Sequence, residues 1–310
     1  MSFTTEVKKE ICQNELKDCC KKAQLSGFLQ LSASLNFSKE GMYLSAQSEN
    51  VSSAKRIYQL VKDLYDVETE LSIIKKMNLK KNNIYIIKIK NKALDILKDL
   101  DIMDEHGLRD YPSSKVRRQC CIRAYIAGAF LAKGSVNSPS KSNYHLEIAC
   151  NTEGLAHYLM KKLNTYNLGA KMIKRRNSMV VYIKASDHIS DFLKLVGASG
   201  SLFEFEDTRI QRDFMNNLTR LDNCELANEM KTIQAGAHQL EDIDRIENFM
   251  GLEHLPQQLY DVAIMRRDNP EASLNELCAI YEKQTQQQIS KSGMRHRLNK
   301  IREIADRYRQ

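Results

Sequence analysis

Cys120-Cys121-Ile122-Arg123-Ala124-Tyr125-Ile126-Ala127-Gly128-Ala129-Phe130-Leu131-Ala132-Lys133-Gly134 decides the fold, because a second version of it stands 101 residues upstream. There Cys19, Cys20, Ala23 and Gly27 take the places of Cys120, Cys121, Ala124 and Gly128. The same offset matches Ser34, Asn36, Tyr43, Asn50 and Tyr65 to Ser135, Asn137, Tyr144, Asn151 and Tyr166. Nine identities between residues 17–65 and 118–166 are about three times the chance expectation, so the chain contains an internal duplication. Further on, Ile84-Tyr85-Ile86 aligns with Val181-Tyr182-Ile183 at an offset of 97, as though one hairpin had lost four residues.

Each copy predicts the same elements. A helix of small and apolar residues comes first, about 20–33 and 120–133, and a β-hairpin follows with its outgoing strand near 42–47 and 144–149. Asn50 and Asn151 are expected to cap second helices that run to about Tyr65 and Tyr166. Two more strands are expected at 70–75 and 84–89, and at 170–175 and 179–184, before short helices at 93–100 and 188–196. The order is αββαββα, twice. Ala23 and Gly27, like Ala124, Gly128 and Ala132, stand four apart and share one helical face, which predicts the two first helices packed backbone to backbone across a pseudo-twofold axis.

Tyr125–Gly134, with a fainter copy at Ala23–Ser32, resembles the LAGLIDADG helix of homing endonucleases. The whole chain is similar to the WhiA family, bacterial regulators with a LAGLIDADG-like body and a C-terminal helix-turn-helix. The closest stretches are Gly128–Asn137, and Asn223-Cys224-Glu225-Leu226-Ala227-Asn228 with Lys231-Thr232. The resemblance implies an α+β fold: a duplicated LAGLIDADG-like domain over 1–200 (repeats about 17–105 and 118–200), a linker at 201–222, and an all-α domain at 223–310. It also implies a role in cell division, chromosome segregation or sporulation.

A LAGLIDADG endonuclease needs one carboxylate at the foot of each signature helix to hold divalent metals. The equivalent positions here are Ser32 and Lys133. Serine is a poor ligand for a hard cation, and an ammonium repels it. No Asp or Glu occurs in 19–39 or in 111–146. Nor is there a Walker loop, a G-x-S-x-G elbow, a paired glycine-rich nucleotide turn or an H-x-x-x-H spacing. Gly197-Ala198-Ser199-Gly200-Ser201 predicts a linker. No catalytic residue, metal or cofactor is expected, and the chain is not expected to be an enzyme.

The formal charge is +8, unevenly spread. Residues 289–310 carry seven Lys/Arg against two Asp/Glu, residues 221–288 five against thirteen, and the first 220 residues are strongly basic. An anionic polymer is the expected partner. Lys75, Lys76, Lys80, Lys81, Lys88, Lys90 and Lys92 cluster on one hairpin; Lys171, Lys174, Arg175, Arg176 and Lys184 cluster on its repeat mate. Both hairpins are expected to touch phosphates without reading sequence. The alternative is that lysine merely guards strand edges. The eight cysteines include the adjacent pairs Cys19-Cys20 and Cys120-Cys121 but no C-x-x-C, so they are expected to be small core residues rather than ligands. No apolar stretch approaches a bilayer span, and Met1–Glu6 is no secretory start. The expected location is cytoplasmic, on the nucleoid.

In the C-terminal part, Cys224–Met250 predicts an acidic helix with Leu226, Met230, Ile233, Ala237, Leu240, Ile243 and Ile246 on its apolar face, ended by Gly251. Helices are expected from Pro256 to Asp268 and from Leu274 to Tyr281, followed by a polar turn at 282–288. A last helix, capped by Ser290, places Met294, Leu298, Ile301, Ala305 and Tyr308 toward the core. Lys291, Ser292, Arg295, His296, Arg297, Asn299, Lys300 and Arg302 then form, with Ser290, the surface of a recognition helix within a helix-turn-helix at about 273–308. Double-stranded DNA is the expected partner, with a protein regulator besides; neither a membrane nor a small-molecule substrate is expected. The competing possibility is a vestigial nuclease scaffold serving as a protein-interaction platform, with DNA bound only by the tail.

Overall fold

A computed structural model describes residues 2–38, 41–75, 83–112, 115–141, 143–176 and 178–308. Two units result, Met1–Arg212 and Asp213–Gln310.

The first unit opens with a helix that the repeat did not announce, α1 (Phe3–Gln13). Its Phe3, Val7 and Ile11 stand one turn apart and are all buried, and the Ser2 hydroxyl accepts from the Thr5 amide at 3.3 Å. The first copy then runs α2 (Asp18–Ser32), β1 (Ala33–Ser38), β2 (Gly41–Ser48), α3 (Val51–Leu64), β3 (Thr69–Lys75), β4 (Asn83–Ile89) and α4 (Ala93–Asp99). After the two-residue strands β5 (Met103–Asp104) and β6 (Gly107–Leu108), the second copy runs α5 (Gln119–Lys133), β7 (Gly134–Val136), β8 (Leu146–Cys150), α6 (Glu153–Asn164), β9 (Lys171–Arg175), β10 (Ser178–Ile183) and α7 (Ser186–Val196). Helices α2 and α5 begin and end at the 101-residue offset.

Those two helices form the centre of the core, and their contact is backbone on backbone. A Cβ on Gly27 would lie 2.2 Å from the Tyr125 carbonyl oxygen, and one on Gly128 2.0 Å from that of Gln24. The reciprocity of the two contacts is what a twofold axis between the helices demands. Each four-stranded antiparallel sheet has the same order, β1-β2-β4-β3 and β7-β8-β10-β9. Within them Ala46 faces Ala33 and Ile87, and Ile148 faces Gly134 and Val181. The structural counterpart of Val181-Tyr182-Ile183 is therefore Ile87-Lys88-Ile89, not Ile84-Tyr85-Ile86; the shorter β9–β10 hairpin removes more residues than the sequence alignment allowed. The helix caps differ as well. Asn50 caps α3 as expected, its side chain accepting from the Ser53 amide at 2.9 Å, but α6 is capped by Thr152. Asn151 instead donates to the Leu31 carbonyl at 3.2 Å.

Residues 201–222 are not an irregular connector. They belong to α8 (Ser199–Met250), a single helix of 52 residues. Gly197, at φ +77°, ends α7, so the expected glycine-serine linker is only a break between two helices. From Gly200 to Gly236 no glycine or proline interrupts α8, and residues 213–231 are exposed on every side. A helix solvated all round buries none of the apolar residues it carries, so an apolar period along it does not mark a core face. Accordingly, Leu226, Met230 and Ile233 of the predicted apolar face are 57%, 61% and 46% exposed, whereas Ile243 and Ile246 are fully buried.

The core of the second unit gathers Ile243 and Ile246 with α9 (Gln257–Asp268), α10 (Leu274–Thr285) and α11 (Lys291–Asp306). Gly251, at φ +79°, stops α8. Ser273 and Glu276 form a capping box at the start of α10. That helix extends to Thr285, so the turn before α11 is shorter than the expected 282–288. The buried Arg266 guanidinium donates to the carbonyls of Asn269, Pro270 and Ala272 at 3.3, 3.3 and 2.6 Å, closing the α9–α10 corner.

Candidate nucleic-acid interface

Helix α11 is built outward from its apolar stripe. Met294, Leu298, Ile301 and Ala305 are buried, and the Tyr308 hydroxyl reaches the Met250 sulfur at 3.5 Å. Ser290 caps the helix, its hydroxyl accepting from the Gly293 amide at 3.1 Å and meeting the Ser292 hydroxyl at 2.9 Å. With that stripe inward, Lys291, Ser292, Arg295, His296, Asn299 and Lys300 are exposed. Two of the expected DNA contacts are otherwise engaged. The Arg297 guanidinium lies 4.9 Å from the centre of the Tyr281 ring and is half-buried, so it is a packing residue of the α10–α11 junction. Arg302 pairs with Asp242 at 3.4 Å but stays half-exposed. The sequence could not show either partner, because both come from other helices.

The body hairpins divide by sheet face. Ile87 and Ile89 enter the core, so Lys88 between them projects from the opposite face, beside Ser45 and Glu70 and 5.9 Å from the Tyr43 ring. In the second sheet Lys171 stands opposite Tyr182 on the equivalent face, together with Arg175, and Lys184 lies 5.2 Å from the Tyr182 ring. Lys75 and Lys174 have the other parity and fall on the opposite faces of their sheets, away from Lys88 and Lys171. Arg176 occupies the turn after β9, at φ +53°. Lys76, Lys80 and Lys81 lie outside the described residues.

Carboxylates answer part of this charge. Lys90 pairs with Glu70 at 2.6 Å and Glu68 at 3.4 Å, and hydrogen bonding to Glu70 holds its ammonium above the ordinary lysine range. Arg175 pairs with Glu147 at 3.3 Å, whose other partner is His145 at 3.0 Å. Glu147 was missed in the sequence because only the sheet order, with β8 and β9 on either side of β10, brings it within reach of Arg175.

At the feet of the signature helices the Ser32 hydroxyl donates back to the Phe28 carbonyl at 2.7 Å. Lys133 shares a cavity with Lys8, Glu49 and Asn50. Burial pushes the Lys8 ammonium down to about 8, opposed by Cys12 and Glu49 and reinforced by the charge of Lys133. Two lysines and one carboxylate do not suit the divalent metals of a homing endonuclease. Elsewhere the cysteines depart from expectation: Cys19 and Cys120 are exposed, and with buried Cys20 and Cys121 they form one cluster. Among the described residues, no helix is long and apolar enough to cross a membrane.

Three family models match in chain order: the WhiA N-terminal LAGLIDADG-like domain over 18–103, the WhiA LAGLIDADG-like domain over 122–215, and the WhiA C-terminal HTH domain over 218–305. The chain is 46% identical over 313 residues to the probable cell division protein WhiA of Brevibacillus brevis, covering 100% of this chain and 98% of that one. Identity to the Oceanobacillus iheyensis protein of the same name is 42%, over 99% and 98% of the two chains. The crystal structure of full-length DUF199/WhiA from Thermatoga maritima matches with a TM-score of 0.61 at 25% identity, covering 100% of both chains. Duplicated LAGLIDADG-like architecture, C-terminal helix-turn-helix and full-length relatives agree: this chain belongs to the WhiA family.

Proposed function

We propose that the chain is a non-enzymatic, DNA-binding transcriptional regulator acting in cell division, chromosome segregation or sporulation, at work on the nucleoid in the cytoplasm. One observation carries this: α11 buries its apolar stripe and leaves Lys291, Ser292, Arg295 and Asn299 exposed at a Ser290-capped N-terminus. Such a helix fits the major groove, with side chains of its first turns at base edges. The body adds phosphate contacts through Lys88, Lys171, Arg176 and Lys184. Lys75 and Lys174, on the other faces, are left out of this surface.

The body does not cut what it binds. Ser32 and Lys133 take the places of the metal-holding carboxylates, and Lys8 adds a further cation beside Lys133. Supercoiled plasmid incubated with the purified protein and magnesium or manganese should stay intact. Nicking that tracks the protein and vanishes in Lys133→Ala would refute a non-enzymatic body.

The division of labour is open to a salt titration. Each phosphate contact contributes about 0.9 to the slope of log affinity against log salt. The full-length triple variant Lys88→Gln/Lys171→Gln/Lys184→Gln should therefore lose about 2–3 units of slope while keeping its preferred sequence. The carboxylate pairing of Lys90 and Arg175 favours the competing view, a body serving as a platform for proteins. An unchanged slope in the triple variant would decide for that view.

A further inference from the structure

We propose that Cys19, Cys20, Cys120 and Cys121 form a four-thiolate site for one zinc ion that ties the first turns of α2 and α5 together. The four sulfurs lie within 4.8 Å of one another, and both adjacent pairs, Cys19–Cys20 and Cys120–Cys121, are 3.9 Å apart. A tetrahedron of sulfurs at the usual zinc–sulfur length of about 2.3 Å has edges of about 3.8 Å. The cluster thus needs to contract by no more than roughly an ångström along its longest edges to hold an ion. Closing a disulfide within either adjacent pair would bring sulfurs now 3.9 Å apart to about 2.05 Å, a larger movement. There is room at the centre for one ion but not for a cluster of irons and sulfides. Among the described residues this is the one group of three or more metal-type side chains.

The surroundings suit a dianionic tetrathiolate. All four cysteines sit in first helical turns, where the backbone dipole favours a thiolate. Arg117 and Arg118 line a cavity with Cys19 and Cys121, and Arg123 lines another with Cys20 and Cys120. Lys22 and Lys115 are nearby too, but Asp99 takes both, at 2.8 and 3.1 Å. Zinc binding by four thiols releases four protons to solvent and leaves a site of net charge −2, so affinity should rise with pH. Neither cysteine pair has a conventional zinc spacing; the duplication builds the site by bringing two half-sites across the pseudo-twofold axis.

The test uses the full chain, purified with a thiol reductant, loaded with zinc and passed over a weak chelating resin. Elemental analysis should find about one zinc per chain. Cobalt(II) in its place should show the strong visible bands and the sulfur-to-metal charge transfer of tetrahedral tetrathiolate coordination. Cys19→Ser/Cys120→Ser, at two exposed positions, should lose both the zinc and the cobalt spectrum, whereas Cys224→Ser should keep them. Zinc should also slow alkylation of the four cysteines in the unmutated protein by at least about tenfold without protecting Cys224. Negligible zinc in the reduced protein, an unchanged stoichiometry in the double variant, or equal alkylation rates with and without zinc would each overturn the proposal. So would the finding that air oxidation, not zinc, is what blocks these thiols.

Discussion

Gly128→Ala should destabilise the body by about 4 kcal/mol, lowering its unfolding temperature by about 8–16 °C. Two effects oppose each other at this site. Alanine is the better helix former by about 1 kcal/mol. Against that, its Cβ would stand 2.0 Å from the Gln24 carbonyl oxygen and 2.9 Å from the carbonyl carbon. Both obstacles are backbone, so no change of rotamer relieves them. The two helices have to separate, and α2 and α5 are buried along most of their length, with Phe28 and Phe130 fully enclosed. Separation therefore opens voids through a close-packed core, which is why the steric effect prevails. Gly154→Ala is the matched control: in α6 the nearest neighbours of the new Cβ all belong to the Asp110 side chain, the closest a carboxylate oxygen at 2.9 Å, and a side chain can swing away. It should change stability by less than about 1 kcal/mol. Equal denaturation midpoints for Gly128→Ala and Gly154→Ala would mean that α2 and α5 do not meet backbone to backbone.

The same helix pair shows what a sequence can and cannot convey. Small residues four apart in both copies announced the contact, because helical spacing is local and the duplication supplied a second witness. Strands were expected at 84–89 and 179–184, where β4 and β10 run, but the sequence did not show which residues are equivalent between copies. Equivalence depends on hairpin length, and a shift of one residue turns every side chain to the other face. Lys75 and Lys174 were grouped with Lys88 for that reason. The acidic partners of Lys90 come from the start of β3 and that of Arg175 from β8, with β10 between, so their pairing lies in the sheet order and register rather than in any run of residues. The exposed part of α8 misled for the opposite reason: residues 201–222 showed no clear period, and the period read further on, at Leu226, Met230 and Ile233, belongs to side chains that stay exposed. The cysteines are the sharpest case. Two adjacent pairs a hundred residues apart look like core residues until a symmetry axis brings them together.

Arg295→Ala should cost about 1–3 kcal/mol of affinity for the preferred DNA site and relax specificity at a single base position. Arg295 is exposed one residue past Met294, whose burial fixes the rotation of α11 about its axis. Lys291 and Ser292, one turn nearer the N-terminus, share its side of the helix. A planar guanidinium there can donate to two acceptors on one guanine edge, which a point charge does not reproduce. Lys300 is exposed more than a turn further along, where a helix leaves the groove and faces phosphate. Lys300→Ala should weaken all sequences alike and reduce the salt slope by about one unit. Arg297→Ala supplies the contrast: its guanidinium lies against Tyr281, so its loss should lower the stability of the second unit and leave base preference unchanged in the folded fraction. Thermal unfolding separates these cases, since Arg295→Ala and Lys300→Ala remove exposed side chains outside the buried stripe and should melt with the parent. The deciding measurement is affinity across a panel of sites with single base changes, at two salt concentrations. A folded Arg295→Ala that keeps the parent's affinity and discrimination at every position would show that α11 does not read DNA through this residue. Base reading by this helix would then fall to the exposed Lys291, Ser292 and Asn299.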